Sequence, residues 1–453
     1  MSGARRAGTW DVYGLRGGVA RLKTVALATI GLVTLGAAVV ALEKHWFGAI
    51  LLVALWCILV VSPDLRQNRS TFHAAMIVGL AVTGAAIWNS FVEPLPGGGA
   101  DGARFLREAG WHAEHGVWPE YRSGSSVFVI ILTALFLVFG VSSLTAHALT
   151  AVGTVVLLVM VARLRARCCG VGEMRGGLLY LVALLPSAFL FRAAPLREAW
   201  EAAFLTGATV AACGILWRAS VSRVIGFVIC GVGAAMLHAA LGVGVLFQCA
   251  AIVAKWILDR RLGVAYRIVV GFVAGGLLAA TGVLVGALTL RDGRVEAAAE
   301  AAMTGDLGSA GILEQEALGG ASYGSAPGMN SGLVLRVVAG WIYYWLAPLP
   351  WQVRSGGDLL VMVENFVRVL LLLSAIAAWR RSNGVERGMI AIALGTVVVV
   401  ELAWSVGTSN WGTAIRHHIP AYGILCALGY PIRRRMTAGL RARAGVEGCR
   451  RGK

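Results

Sequence analysis

Residues 127–167 read VFVIILTALFLVFGVSSLTAHALTAVGTVVLLVMVARLRAR. Two apolar runs stand here, 127–140 and 144–162, followed by Arg163, Arg165 and Arg167. The second run approaches the ~20 residues a helix needs to cross a hydrocarbon core about 30 Å thick, and the first is short. If both crossed, the three arginines and Arg175 would lie outside, against the tendency of Lys and Arg to stay in the cytoplasm. If 127–140 dips into the outer face and returns, they lie inside. The same reasoning applies to 333–350, LVLRVVAGWIYYWLAPLP, whose crossing would place Arg380 and Arg381 outside. Both stretches are therefore expected to be re-entrant or interfacial helices on the outer side, which are tolerated where they line a protein-walled cavity.

Working outward, composition sets the class. Hydrophobic residues make up 58% of the 453 and charged residues 14%, against about 25% charged in soluble domains. This excludes a soluble multi-domain protein and predicts an all-α, polytopic transmembrane bundle. Apolar runs at 24–42, 46–62, 71–92, 144–162, 176–193, 199–217, 224–237, 241–258, 266–290, 358–379, 388–407 and 417–432 predict twelve spans within a transmembrane domain of 24–432. Basic tails at 1–23 and 433–453 flank it. With the N-terminus inside, the proposed cytoplasmic segments hold most of the 40 Lys and Arg and few of the 23 Asp and Glu. The net charge of +17 is thus a topology signal and not a nucleic-acid one, and both termini are expected in the cytoplasm. The N-terminal span reads as a retained signal anchor. The eight cysteines fall in spans or on the cytoplasmic side, so neither a disulfide nor a zinc site is expected.

Chemistry-bearing residues gather in the outer loops. The first, 93–126, opens on a Pro/Gly linker and then interleaves Phe105, Leu106, Trp111 and Trp118 with charged residues. Asp101 suits a general base or a metal-binding carboxylate; its place after a glycine run equally suits the N-cap of the helix that follows. Glu108, His112 and His115 share one helical face, which suits a divalent cation or a solvated surface. At the 185–204 corner, Arg192, Arg197, Glu198 and Glu201 lie at the membrane rim, where charges need partners or an aqueous cavity. Arg197 and Glu201 are spaced to neutralise each other, leaving Arg192 over. The loop 291–332 is acidic and small-residue-rich, a lid or a disordered segment. Glu364 and Arg368 in one span and Glu401 in the next are intramembrane charges, with Arg368 the expected partner of either carboxylate. The stretch 404–420, WSVGTSNWGTAIRHHIP, ends in Arg416, His417 and His418 where the last span is expected to begin, a basic triplet on the outer side.

Asp101 with Phe105, Phe139-Gly140, Pro186-Ser187, Arg197-Glu198, PLPW at 348–351 and GTSNWGTAIRHH at 407–418 together resemble the C-type membrane glycosyltransferases and related polymerase-like proteins of bacterial surface-polysaccharide clusters. The resemblance implies an inner-membrane enzyme acting on a polyprenyl-linked sugar or oligosaccharide at the outer face. It implies Asp101 as base toward the acceptor hydroxyl, and Arg192, Arg197, Arg416 and His417 as partners of the departing phosphate. Glu198, Trp351, Asn410 and His418 would complete the substrate-binding set. The chain lacks a second Asp motif at 193–201 and a carboxylate adjacent to Asp101, so a metal-free transfer is open beside one assisted by a divalent cation. Membrane lipid is an expected partner and nucleic acid is not. The alternatives are a scaffold subunit of an envelope assembly and a lipid-linked-sugar flippase, which would show repeated halves and polar residues at the bilayer midplane; no internal repeat is visible.

Overall fold

The expected spans that fall where the chain is described lie on helices, 176–193 on two of them, but those at 46–62, 224–237 and 417–432 fall on helices short of the length or hydropathy a crossing needs. The computed structural model describes residues 45–95, 99–121, 124–170, 175–258, 333–406, 408 and 410–431. The expected spans 24–42 and 266–290, the loop 291–332, and both tails lie outside the described residues. Within them are fourteen α-helices and one short 3-10 turn, with no β-strand. They are α1 (Trp46–Val61), α2 (Arg69–Phe91), α3 (Gly99–His115), α4 (Gly124–Phe139), α5 (Ser143–Cys169), α6 (Gly176–Leu184), α7 (Pro186–Ala193), α8 (Glu198–Trp217), α9 (Val221–Leu237), α10 (Ala239–Leu258), α11 (Leu333–Leu346), α12 (Gly356–Arg381), α13 (Gly384–Val406) and α14 (Trp411–Gly429).

Six of these helices are long and apolar enough to cross a membrane, or seven if α6 and α7 form one broken span. The chain is a helical membrane protein. Its centre is α5 against α8 and α14. Small residues permit the close approach: a Cβ on Gly153 would meet the Trp200 ring at 3.1 Å, and Trp200 Nε1 donates to Leu149 O at 3.1 Å.

α4 starts and ends at one end of the bundle. Gly124 lies against Leu237 O, where α9 finishes. At the other end of α4, Phe139 stacks on Phe47 in the first turn of α1, with centroids 3.7 Å apart. His147 of α5 meets Ser90 at the close of α2. Sixteen residues cover about 24 Å, which suits a helix lying across the bundle end.

The expected single span 176–193 is instead two helices bent by 62°. Pro186 has no N–H, so Val182 O loses its helical donor; Arg192 Nη1 replaces it at 2.6 Å. The next N–H, on Ser187, goes to Glu364 Oε1 at 2.8 Å, and Ser187 Oγ donates to Glu364 Oε2. Arg368 Nη2 pairs with the same carboxylate at 3.2 Å. Asn365 accepts from Arg368 Nη1 and donates to Ala347 O at 2.5 Å. These groups are buried, so the two charges are tolerated because hydrogen bonds surround them.

Candidate functional site

The first turn of α3 is pressed onto the α7–α8 corner by a glycine. A Cβ on Gly102 would stand 3.0 Å from Pro195 Cδ. Farther along α3, Phe105 and Ala109 bury against Phe128, Leu132 and Phe136 of α4 and against Leu196. Trp111 and Trp118 stay exposed, as interfacial anchors do. Asn89 ties the same corner down, donating to Ala193 O at 2.8 Å and accepting from Leu95 N at 2.8 Å.

This packing brings three distant segments together. Arg416 Nη1 donates to Asp101 Oδ2, and Arg416 Nε donates to Glu198 Oε1. Arg104 Nη2 approaches Asp101 Oδ1 at 3.7 Å. Arg197 pairs with Glu201 at 3.0 Å, and its Nη1 donates to Leu237 O at 2.9 Å. Partial burial alone would raise the Asp101 pKa; the Arg416 hydrogen bond and charge, with Arg104 and Arg197, hold it below the usual carboxylate range. Asp101 is therefore an ionised carboxylate, its side chain 40% exposed, with a guanidinium against one oxygen.

Next to this trio, His417 Nδ1 bonds Thr408 Oγ1 at 3.0 Å, and its ring stacks on Trp404 at 5.2 Å and 11°. Trp404 Nε1 donates to His238 Nε2 at 3.3 Å, and the His238 ring centroid is 5.9 Å from that of His417.

Several sequence-based expectations change here. Asp101 sits inside the first turn of α3 and spends its carboxylate on arginines, so the capping alternative does not describe it. His112 Nδ1 bonds Val117 O at 3.0 Å and His115 Nδ1 bonds Trp111 O at 2.8 Å. With Glu108 they make no cation site; among the described residues no group of three or more His, Cys, Asp or Glu could hold a metal. Arg192 is buried on the carbonyls of Val182 and Ile419 and takes no part in the Asp101 cluster. Asn410 caps α14, accepting from Gly412 N at 2.6 Å and Thr413 N at 3.4 Å. Trp351 is 79% exposed. His418 points away from the cluster: its Nδ1 meets Glu401 and its Nε2 meets Tyr344 O at 3.0 Å. Glu401 therefore pairs with His418 and not with Arg368. α14 begins at Trp411, so Arg416 to His418 lie in its second turn and not at its start.

Arg104, His238 and Trp404 were not singled out by sequence reasoning as site residues. Each stands beside one that was: Arg104 three positions after Asp101, Trp404 at the head of the 404–420 stretch, His238 at the close of an expected span. Compared with family models, with curated proteins and with solved structures, the chain matches none.

Proposed function

We propose that the chain is an integral membrane glycosyltransferase or polysaccharide polymerase that takes a sugar from a polyprenyl-linked donor at the outer face of a bacterial inner membrane. The observation that carries this reading is the convergence of Asp101, Glu198 and Arg416 beside an interfacial aromatic helix. In it, twelve spans and two outer half-elements leave both termini in the cytoplasm, and α4, with both ends at the Asp101 end, is one half-element. Asp101 accepts the proton of the acceptor hydroxyl. Arg416 keeps Asp101 ionised and joins it to Glu198, while the more exposed Arg104 holds the donor phosphate before and after the sugar leaves.

The test is transfer in proteoliposomes: purified chain, radiolabelled polyprenyl-phosphate hexose and an acceptor glycan. Label appearing on the acceptor, and lost in Asp101→Asn, is expected. Label that crosses the bilayer without changing its carrier would overturn the reading in favour of a second one, a lipid-linked-sugar flippase. The α6–α7 break, with Glu364 and Arg368 at it, is the observation favouring that alternative, because broken helices with charges at the break form transporter sites. Against it, the break is filled by its own hydrogen bonds.

A further inference from the structure

At the end of the bundle opposite Asp101, α5 and α8 finish and α9 and α13 begin around a cavity of about 310 Å³ lined by Ala166, Arg167, Gly214, Trp217, Arg223 and Met389. Two guanidiniums border one space. Glycine makes room for both: a Cβ on Gly214 would lie 2.7 Å from Arg167 Nη1 and 3.1 Å from Arg223 Cδ. Arg167 Nη1 donates to Val210 O, and Arg223 Nη1 donates to Gly214 O at 2.8 Å and to Arg218 O.

Arg223 thus sits on the carbonyls at the negative end of α8, which capping would explain in part, while Arg167 reaches Val210 O about a turn inside the helix. A helix terminus supplies about half an elementary charge, however, and two guanidiniums carry two. Among the described residues neither arginine forms an ion pair. Asp64, whose charge does act on Arg167, is already joined to Arg163 at 2.6 Å. These bonds occupy only Nη1 of each fork. The remaining donors of two converging arginines suit a phosphate, which they can grip in planar pairs. The cavity is at the lower limit of small-ligand sites, enough for a phosphate and little more. Trp217 stands exposed at its rim, as residues at headgroup level do.

We propose that this cavity binds a phosphate group, carried either by an anionic lipid headgroup or by a soluble phosphate. The proposal is independent of glycosyl transfer at the opposite end. The full chain, purified in neutral detergent, is unfolded thermally with phosphatidylglycerol, with phosphatidylcholine, with inorganic phosphate, or with sodium chloride at matched ionic strength. A saturable rise in midpoint with phosphatidylglycerol, beyond that of phosphatidylcholine or salt, identifies a lipid source. The same rise with inorganic phosphate, competing with the lipid, identifies a soluble one. Arg167→Gln and Arg223→Gln should each weaken the effect about tenfold, the loss expected for a charged hydrogen bond. Arg381→Gln, at the same end but outside the cavity, should leave it unchanged. If the wild-type chain responds to neither ligand beyond salt, if phosphatidylcholine serves as well, or if Arg381→Gln weakens binding equally, the proposal is wrong. The wild-type comparison decides even where a cavity variant fails to fold.

Discussion

The Asp101 cluster and the Glu364–Arg368 clasp are both built from carboxylates and arginines, yet their surroundings give them different work. In the clasp both side chains are at most 3% exposed, and their hydrogen-bond partners come from the packing of α7, α12 and the end of α11. In the cluster Glu198 is buried, but Asp101 and Arg416 are 40% and 21% exposed and come from segments 315 residues apart. Charges sealed from water serve to fix a bend, because breaking them leaves an ion that nothing solvates. Charges left partly wet cost little to rearrange and can meet a substrate.

The sharpest way to break this contrast is to remove one side of the clasp. Glu364→Leu and Arg368→Leu should each cost about 3–5 kcal/mol, since each strands a buried charge. The double variant should cost less than the sum of the two. Unfolding by sodium dodecyl sulfate in mixed micelles measures all three. Single variants within about 1 kcal/mol of the wild type would mean that water reaches the clasp, and the distinction between the regions would fall.

Asp101→Asn asks the converse question of the cluster. The proposed general base is lost, so sugar transfer should drop about 10²–10⁴-fold, while stability changes by no more than about 1 kcal/mol. Asp101→Ser should behave alike. Retained transfer by both variants, measured in the proteoliposome assay, would move the base to another residue.

Much of this architecture was legible because hydropathy is a property of contiguous sequence. The run 144–162 lies wholly within α5, and most of 127–140 lies within α4. What could not be read was pairing across distance. Arg416 is expected from charge placement to be unusual, but nothing local to it names Asp101 or Glu198. Arg368 was expected to pair with either Glu364 or Glu401; it pairs with Glu364, and helix rotation turns His418 onto Glu401. The break falls at Pro186, inside a run that was expected to be one span. Its consequence, a backbone N–H given to Glu364, depends on a helix 177 residues later in the chain.

Acid gives a smaller test. The folded pKa of Asp101 lies below its ordinary 3.8, so its ion pairing stabilises the fold above that ordinary value. The contribution is lost as pH falls through the lower folded value. The midpoint difference between wild type and Asp101→Asn should therefore be constant from neutrality to about pH 4 and shrink below it. A difference that already vanishes near pH 6 would show that Asp101 is not held by Arg416.

The least disruptive probe is Arg104→Gln. Its guanidinium lies 3.7 Å from Asp101 Oδ1, its side chain is 56% exposed, and it projects over the Phe105 ring at 5.2 Å. An exposed pair at this spacing contributes no more than about 0.5 kcal/mol, and salt screens it further. The unfolding midpoint should hardly move. If Arg104 meets donor phosphate, KM for the lipid-linked sugar should rise while kcat is kept, because the interaction exists before and after the sugar departs. Arg104→Lys should restore part of the affinity by keeping the charge. An equal fall in kcat and kcat/KM would instead place Arg104 on charge that develops only as the glycosidic bond breaks. No kinetic change at all would make it a surface charge, and leave Arg416 as the cation of the cluster that matters for transfer.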